Sequence, residues 1–111
     1  MTEHLWPESI LDHRSSGLLE LVWQDHMRAL IPHPLLRSLC RCAGCEQQFR
    51  LSGRRAEVSP DIRLEDIRPV GDKALNLVFS DGHGRGIYPW AYLRELSRAH
   101  SVAREALVSA P

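Results

Sequence analysis

Two stretches of this chain repeat one another. "LVWQDHMRALIPHPLLRSL" aligns with "LVFSDGHGRGIYPWAYLREL" once Gly82 is set aside as an insertion. Leu21 then matches Leu77, Val22 matches Val78, Trp23 matches Phe79, Asp25 matches Asp81 and His26 matches His83. Further on, Arg28 pairs with Arg85, Leu30 with Ile87, Pro32 with Pro89, Leu36 with Leu93, Arg37 with Arg94 and Leu39 with Leu96. Unrelated hairpin and helix segments share a proline and some leucines, but not turn acids and arginines in the same order. The repeat constrains the fold because 111 residues build one modest core and not two. A duplicated strand, hairpin strand and helix must therefore share that core.

The elements can be placed around the repeat. "SILDHR" and "LLELVW" flank Ser15, Ser16 and Gly17, which predicts two strands and a turn. "HMRALI" returns as a third strand, Pro32 and Pro34 end it, and "PLLRSL" reads as a short helix opened by proline. Residues 41–60 are mostly polar, carry Gly44 and Gly53, and read as a long loop. Strand signals resume in "IRLEDIRPV", "ALNLVF" and "GRGIY", with turns at Gly71-Asp72 and at Ser80-Asp81-Gly82. "PWAYLRELSRAH" then places Trp90, Leu93 and Leu96 or Ser97 on one helical face. The expected fold is α+β: small mixed or antiparallel sheets with two short helices, forming one domain over residues 9–97 with flexible termini at 1–8 and 101–111.

Cys40, Cys42 and Cys45 are the only cysteines. No apolar run approaches the roughly 20 residues of a membrane span. The N-terminus "MTEHLWPESI" lacks the basic and apolar regions of a signal peptide, so a cytoplasmic location is expected. An odd thiol count in a reducing compartment argues against a disulfide framework. With 14 basic and 14 acidic residues, no overall field draws in nucleic acid or an anionic membrane. Metal binding, a redox pair and unligated burial remain for the thiols. Structural cysteines usually scatter along core periods, whereas Cys-x-Cys-x-x-Cys around Gly44 suits a loop wrapped about one centre. A closed zinc site needs a fourth donor, commonly imidazole. His4 and His100 lie near the ends, His13 closes the first strand, and His33 sits between two prolines. His26 and His83 occupy equivalent turns, and Gly82 and Gly84 give His83 the closer backbone approach. Spacing leaves both open.

"CRCAGC" followed by "VGDKALNLVFSDGHGRGIYPWAYLREL" resembles the small N-terminal domain of gamma-butyrobetaine hydroxylase, which also occurs as short stand-alone bacterial proteins. The resemblance implies zinc held by Cys40, Cys42, Cys45 and His83. Two features depart from the family: "WQDH" stands where Asp-Gly is usual in the first turn, and the segment after Cys45 is rich in arginine. The hydroxylase's iron chemistry belongs to a separate, larger domain, so the resemblance implies a non-enzymatic zinc module docking to a protein partner or to itself as a homodimer. An iron–sulfur role is the alternative, since similar domains occur fused to P-loop scaffold ATPases. Nucleic-acid binding through Arg37, Arg41, Arg50, Arg54 and Arg55 is a weaker one, with only Phe49 available to stack. No P-loop, nucleophile elbow or dinucleotide fingerprint is present, and Asp81 beside His83 reads as a turn former. Trp90 with Tyr92 is expected to form an exposed or half-exposed docking surface.

Overall fold

The computed structural model describes residues 6–55 and 57–103. In chain order the elements are β1 (Pro7–His13), β2 (Leu18–Trp23), β3 (Arg28–Pro32), α1 (His33–Ser38), α2 (Ala43–Ser52), β4 (Leu64–Val70), β5 (Ala74–Phe79), β6 (Gly86–Pro89) and α3 (Trp90–His100). They form two three-stranded antiparallel sheets, ordered β1-β2-β3 and β4-β5-β6. The termini expected to be flexible lie largely outside the described residues. Of the described part, Pro7 opens β1 and Val102 N–H donates to Leu30 O at 2.8 Å.

The duplication extends to the backbone. Leu19 lies opposite Ile31 as Leu75 lies opposite Tyr88, and Leu21 opposite Ala29 as Leu77 opposite Gly86. Each first strand carries the same irregularity, between Pro7 and Ser9 in one copy and between Leu64 and Asp66 in the other. Each helix also starts on the same bond: His33 N–H donates to Gly17 O at 2.8 Å, and Trp90 N–H to Lys73 O at 2.9 Å.

The turns correct the sequence alignment. Trp23 N–H donates to Met27 O as Phe79 N–H donates to His83 O, and His26 adopts φ 72° where Gly82 adopts 85°. His26 is therefore the counterpart of Gly82, and Met27 that of His83. The left-handed position fixes the register, and histidine is among the few side chains that tolerate it.

Leu19, Leu21 and Ile31 from the first sheet share one core with Leu75, Leu77 and Phe79 from the second, with Trp23, Leu36 and Leu93 in the same cluster. Each helix also reaches across to the other copy's turn. Arg37 Nε donates to Asp81 Oδ2 at 2.9 Å, and both terminal nitrogens of Arg94 donate to the Asp25 carboxylate.

Two expectations fail. Residues 43–52, read as loop, form α2, so there are three helices among the described residues. Glu46, Gln47, Gln48, Arg50 and Leu51 are good helix formers, and Gly53 closes the helix at φ 75° with its N–H bonded to Phe49 O. None of its residues is buried, so it has no apolar stripe for periodicity to detect. Tyr92 is buried rather than part of a docking surface. Its hydroxyl donates to Leu39 O at 2.6 Å. Trp90 is half-buried, and its Nε1 donates to Asp72 O at 2.7 Å.

His33 joins the two copies. It is fully buried, with Nδ1 accepting the Leu64 N–H at 3.1 Å and Nε2 lying 2.7 Å from Asp12 Oδ1. This network assigns the proton to Nε2 of a neutral ring. Burial lowers the His33 pKa despite Asp12, with Arg63 and Arg14 adding to the shift. The unfolded chain therefore takes up a proton first as pH falls below about 6.5. Stability held above that pH declines below it, by at most about 1.4 kcal/mol per pH unit from this residue. Urea unfolding at pH 7.5 and 5.5 should show a smaller loss in His33→Gln than in the parent; equal losses would refute the assignment.

Candidate metal centre

Three elements deliver four side chains to one point. α1 ends at Ser38, and Cys40 follows it into the core. The last carbonyls of a helix lack intrahelical partners. Here Tyr88 OH bonds Leu36 O and Tyr92 OH bonds Leu39 O, each at 2.6 Å, which fixes the stretch entering Cys40. Cys42 is the N-cap of α2 and Cys45 lies in its first turn, so a spacing of three residues brings both thiols to the same side. His83 comes from the β5–β6 turn, where its N–H donates to Asp81 Oδ1 at 2.9 Å.

His83 Nε2 lies 3.2 Å from Cys40 Sγ, 3.7 Å from Cys42 Sγ and 3.7 Å from Cys45 Sγ, and all four donor atoms fall within 4.8 Å of one another. A tetrahedral ion with metal–sulfur bonds of about 2.3 Å sets its sulfurs about 3.8 Å apart. The donor set therefore fits a single ion, and the group Cys40, Cys42, Cys45 and His83 could hold one. His26 is exposed on the other turn and takes no part.

The surroundings suit such a charge. Burial pushes the Cys40 thiol up to about 12, so a metal must displace its proton. Burial also opposes ionisation of Cys42, but hydrogen bonds from the Cys45 and Gly44 backbone hold its pKa below the ordinary thiol value. Burial lowers the pKa of His83, as do Arg37 and Arg85, which keeps the ring neutral and its nitrogen free to coordinate. Three thiolates around a divalent ion leave one net negative charge. Arg37 Nη1 lies 3.8 Å from Cys45 Sγ, and its Nε holds the same Asp81 that fixes His83. Such outer contacts orient ligands and tune affinity.

Sequence reasoning missed Arg37, Asp81, Tyr88, Tyr92 and Gly86 as supports of the site. The repeat carried a signal for the first two, since Arg94 and Asp25 recur at the matching places. Gly86 gave none: a Cβ there would lie 2.8 Å from both Cys40 Sγ and Tyr88 Cε1. In the other copy Ser97 stands where Cys40 does, and its hydroxyl accepts from Trp23 Nε1 at 3.1 Å. With Met27 in place of His83, such a cluster of donors forms once among the described residues.

Fold and site together define a small α+β domain with a clustered three-cysteine, one-histidine group. The family model described as gamma-butyrobetaine hydroxylase-like, N-terminal, matches residues 10–94, and the chain belongs to that family. Among solved structures it is similar to a protein of unknown function from Acidithiobacillus ferrooxidans, of the DUF971 family, at 30% identity and a TM-score of 0.65, covering 82% of this chain and 91% of that one. Two solution NMR structures are also similar. One has 27% identity and a TM-score of 0.62, over 83% of this chain and 72% of that one; the other has 25% and 0.69, over 88% and 75%. No functionally curated protein matches. Among the described residues, no helix is long and apolar enough to cross a membrane.

Proposed function

We propose that this protein is a non-catalytic zinc-binding domain whose metal is structural and whose role is that of an accessory or interaction module. The observation that carries the reading is the donor set: three thiols and one imidazole within 4.8 Å. Four protein donors fill a tetrahedral zinc and leave no position for water or substrate, as in structural sites. The compactness favours one ion over an iron–sulfur cluster, whose separate irons need ligands spread further apart and usually four cysteines. Free thiols suit a reducing compartment such as the cytoplasm. Nucleic-acid binding draws less support. Arg37 pairs with Asp81, Arg55 pairs with Glu46 at 2.6 Å, and Arg41 stacks on Tyr92 with Glu95 nearby, so most of the arginine cluster is already engaged.

Elemental analysis of protein purified without added metal should find one zinc per chain and no visible absorption from iron. His83→Ala should weaken zinc binding by more than about 100-fold, beyond the 10–100-fold typical of outer contacts, while His26→Ala leaves it unchanged. Competition against a chromophoric chelator reads both. Retention of affinity in His83→Ala, or a brown protein containing iron and sulfide, would sink the reading.

A further inference from the structure

The three thiols of the centre are not alike. Cys40 is fully buried and locked in place. The tyrosine bonds to Leu36 O and Leu39 O hold the stretch that enters it, and its sulfur lies against Gly86, where a Cβ would come within 2.8 Å. Cys42 and Cys45 are half-buried and sit at the start of α2, none of whose residues is buried. Ala43 and Gly44 between them are exposed, and a Cβ at Gly44 would meet nothing within 4 Å, so this side of the turn is open to solvent.

Cys42-Ala43-Gly44-Cys45, running from the N-cap into the first turn, also has the reach of a disulfide. Residues three apart on a helix set their Cβ atoms about 5–6 Å apart, and a disulfide needs about 3.8 Å. A turn with no buried side chain can close by the difference. Cys40 has no such freedom, because moving its sulfur disturbs Gly86, Tyr88 and the core beneath them.

We propose that Cys42 and Cys45 form a disulfide switch that a hydroperoxide closes and that releases the metal. The inference rests on the zinc reading and supplies its regulation. One of the two thiolates attacks a peroxide oxygen: an S–O bond forms, the O–O bond breaks, and water or an alcohol leaves with a proton from solvent. The other thiolate attacks the oxidised sulfur, the S–S bond forms, and hydroxide leaves as water after taking a second proton. The two sulfurs lose two electrons and the peroxide gains them. Cys40 and His83 then remain as donors, too few for a closed site. His83 lies beside both reacting sulfurs and Arg37 beside that of Cys45, which admits a small oxidant more readily than the bulk of a second disulfide. Oxidation also cuts the contacts of Cys42 and Cys45 with His83, so an event at two sulfurs frees a whole helix. Thiols of a reducing compartment can reopen the bond by exchange.

The test titrates the full, zinc-loaded chain with hydrogen peroxide beside a chromophoric chelator, then alkylates and digests it without reductant. Trypsin cleaves after Arg41, which puts Cys40 on one peptide and both Cys42 and Cys45 on the next. Zinc should appear in proportion to an internal disulfide in the second peptide, with Cys40 recovered alkylated. Dithiothreitol should restore the thiols and zinc binding. Hydrogen exchange in residues 46–52 should quicken in the oxidised protein while β2 and β5 keep their protection. Disulfides containing Cys40 in comparable yield, sulfinic acid in place of a disulfide, or unchanged exchange in α2 would overturn the proposal. So would equal zinc release by glutathione disulfide, because the pair would then be a general exchange centre and not a peroxide site. Zinc content at the outset keeps the two readings apart: a protein without zinc sinks the metal reading whatever its thiols do, and a zinc-loaded protein that excess peroxide leaves intact sinks only the switch.

Discussion

Cys42→Ser should bind no zinc at stoichiometric concentration and lose α2 before anything else. The helix buries none of its residues, and Leu51 is 81% exposed, so what ties it to the domain is chiefly the contact of Cys42 and Cys45 with His83 and of Cys45 with Arg37, while the Arg55–Glu46 pair joins it only to the segment that follows. An isolated helix of ten residues is marginal in water. Removal of the ion should therefore lower far-UV helicity by about those ten residues while the sheets persist. A loss of about 3 kcal/mol or more corresponds to a fall in melting temperature of about 12 °C or more for a domain of this size. Circular dichroism of the variant and of chelator-treated parent decides the matter. Unchanged helicity and melting temperature after complete chelation would show that the centre is not structural.

Trp23→Ala should be comparably damaging for a different reason. Trp23 is among the largest fully buried side chains and donates to Ser97 Oγ, which in turn donates to Leu93 O at 2.8 Å. Truncating a buried tryptophan to alanine costs about 3–5 kcal/mol, transfer and cavity together. Trp23→Phe should cost only a fraction of that, because the matching place in the second copy is filled by Phe79 and Ser97 keeps its bond to Leu93. Urea unfolding of both variants measures the difference. Equal costs would mean that the two copies are not interchangeable at this position.

The parts of the fold that were legible in the sequence are those written in side-chain pattern. The repeat exposed both sheets and the helices α1 and α3, and it marked the recurring arginine and aspartate before any role was known for them. The cysteine spacing, with the family resemblance, indicated the four residues that the fold brings together. What escaped was written in backbone geometry or in contacts distant along the chain. The handedness of residue 26 placed the insertion differently from the best match of letters. α2 hid behind its own solvation. Tyr92, an aromatic at the start of a helix, could as well have faced outward; only the carbonyl of Leu39, more than fifty residues earlier, turns it in.

The exchange of Arg37 for Asp81 and of Arg94 for Asp25 has a consequence for how the chain unfolds. Each copy completes the other's turn, and His33 borrows its last bond from Leu64 in the opposite sheet. Neither half is a self-sufficient piece, since alone it would carry an orphaned guanidinium, an orphaned carboxylate and half a core. Cooperativity is thus built into the topology. Within the sheets and α1 and α3 a protease should therefore find no stable half-open form with one copy loosened while the other stands, and amide exchange in β2 and β5 should be governed by a single global opening.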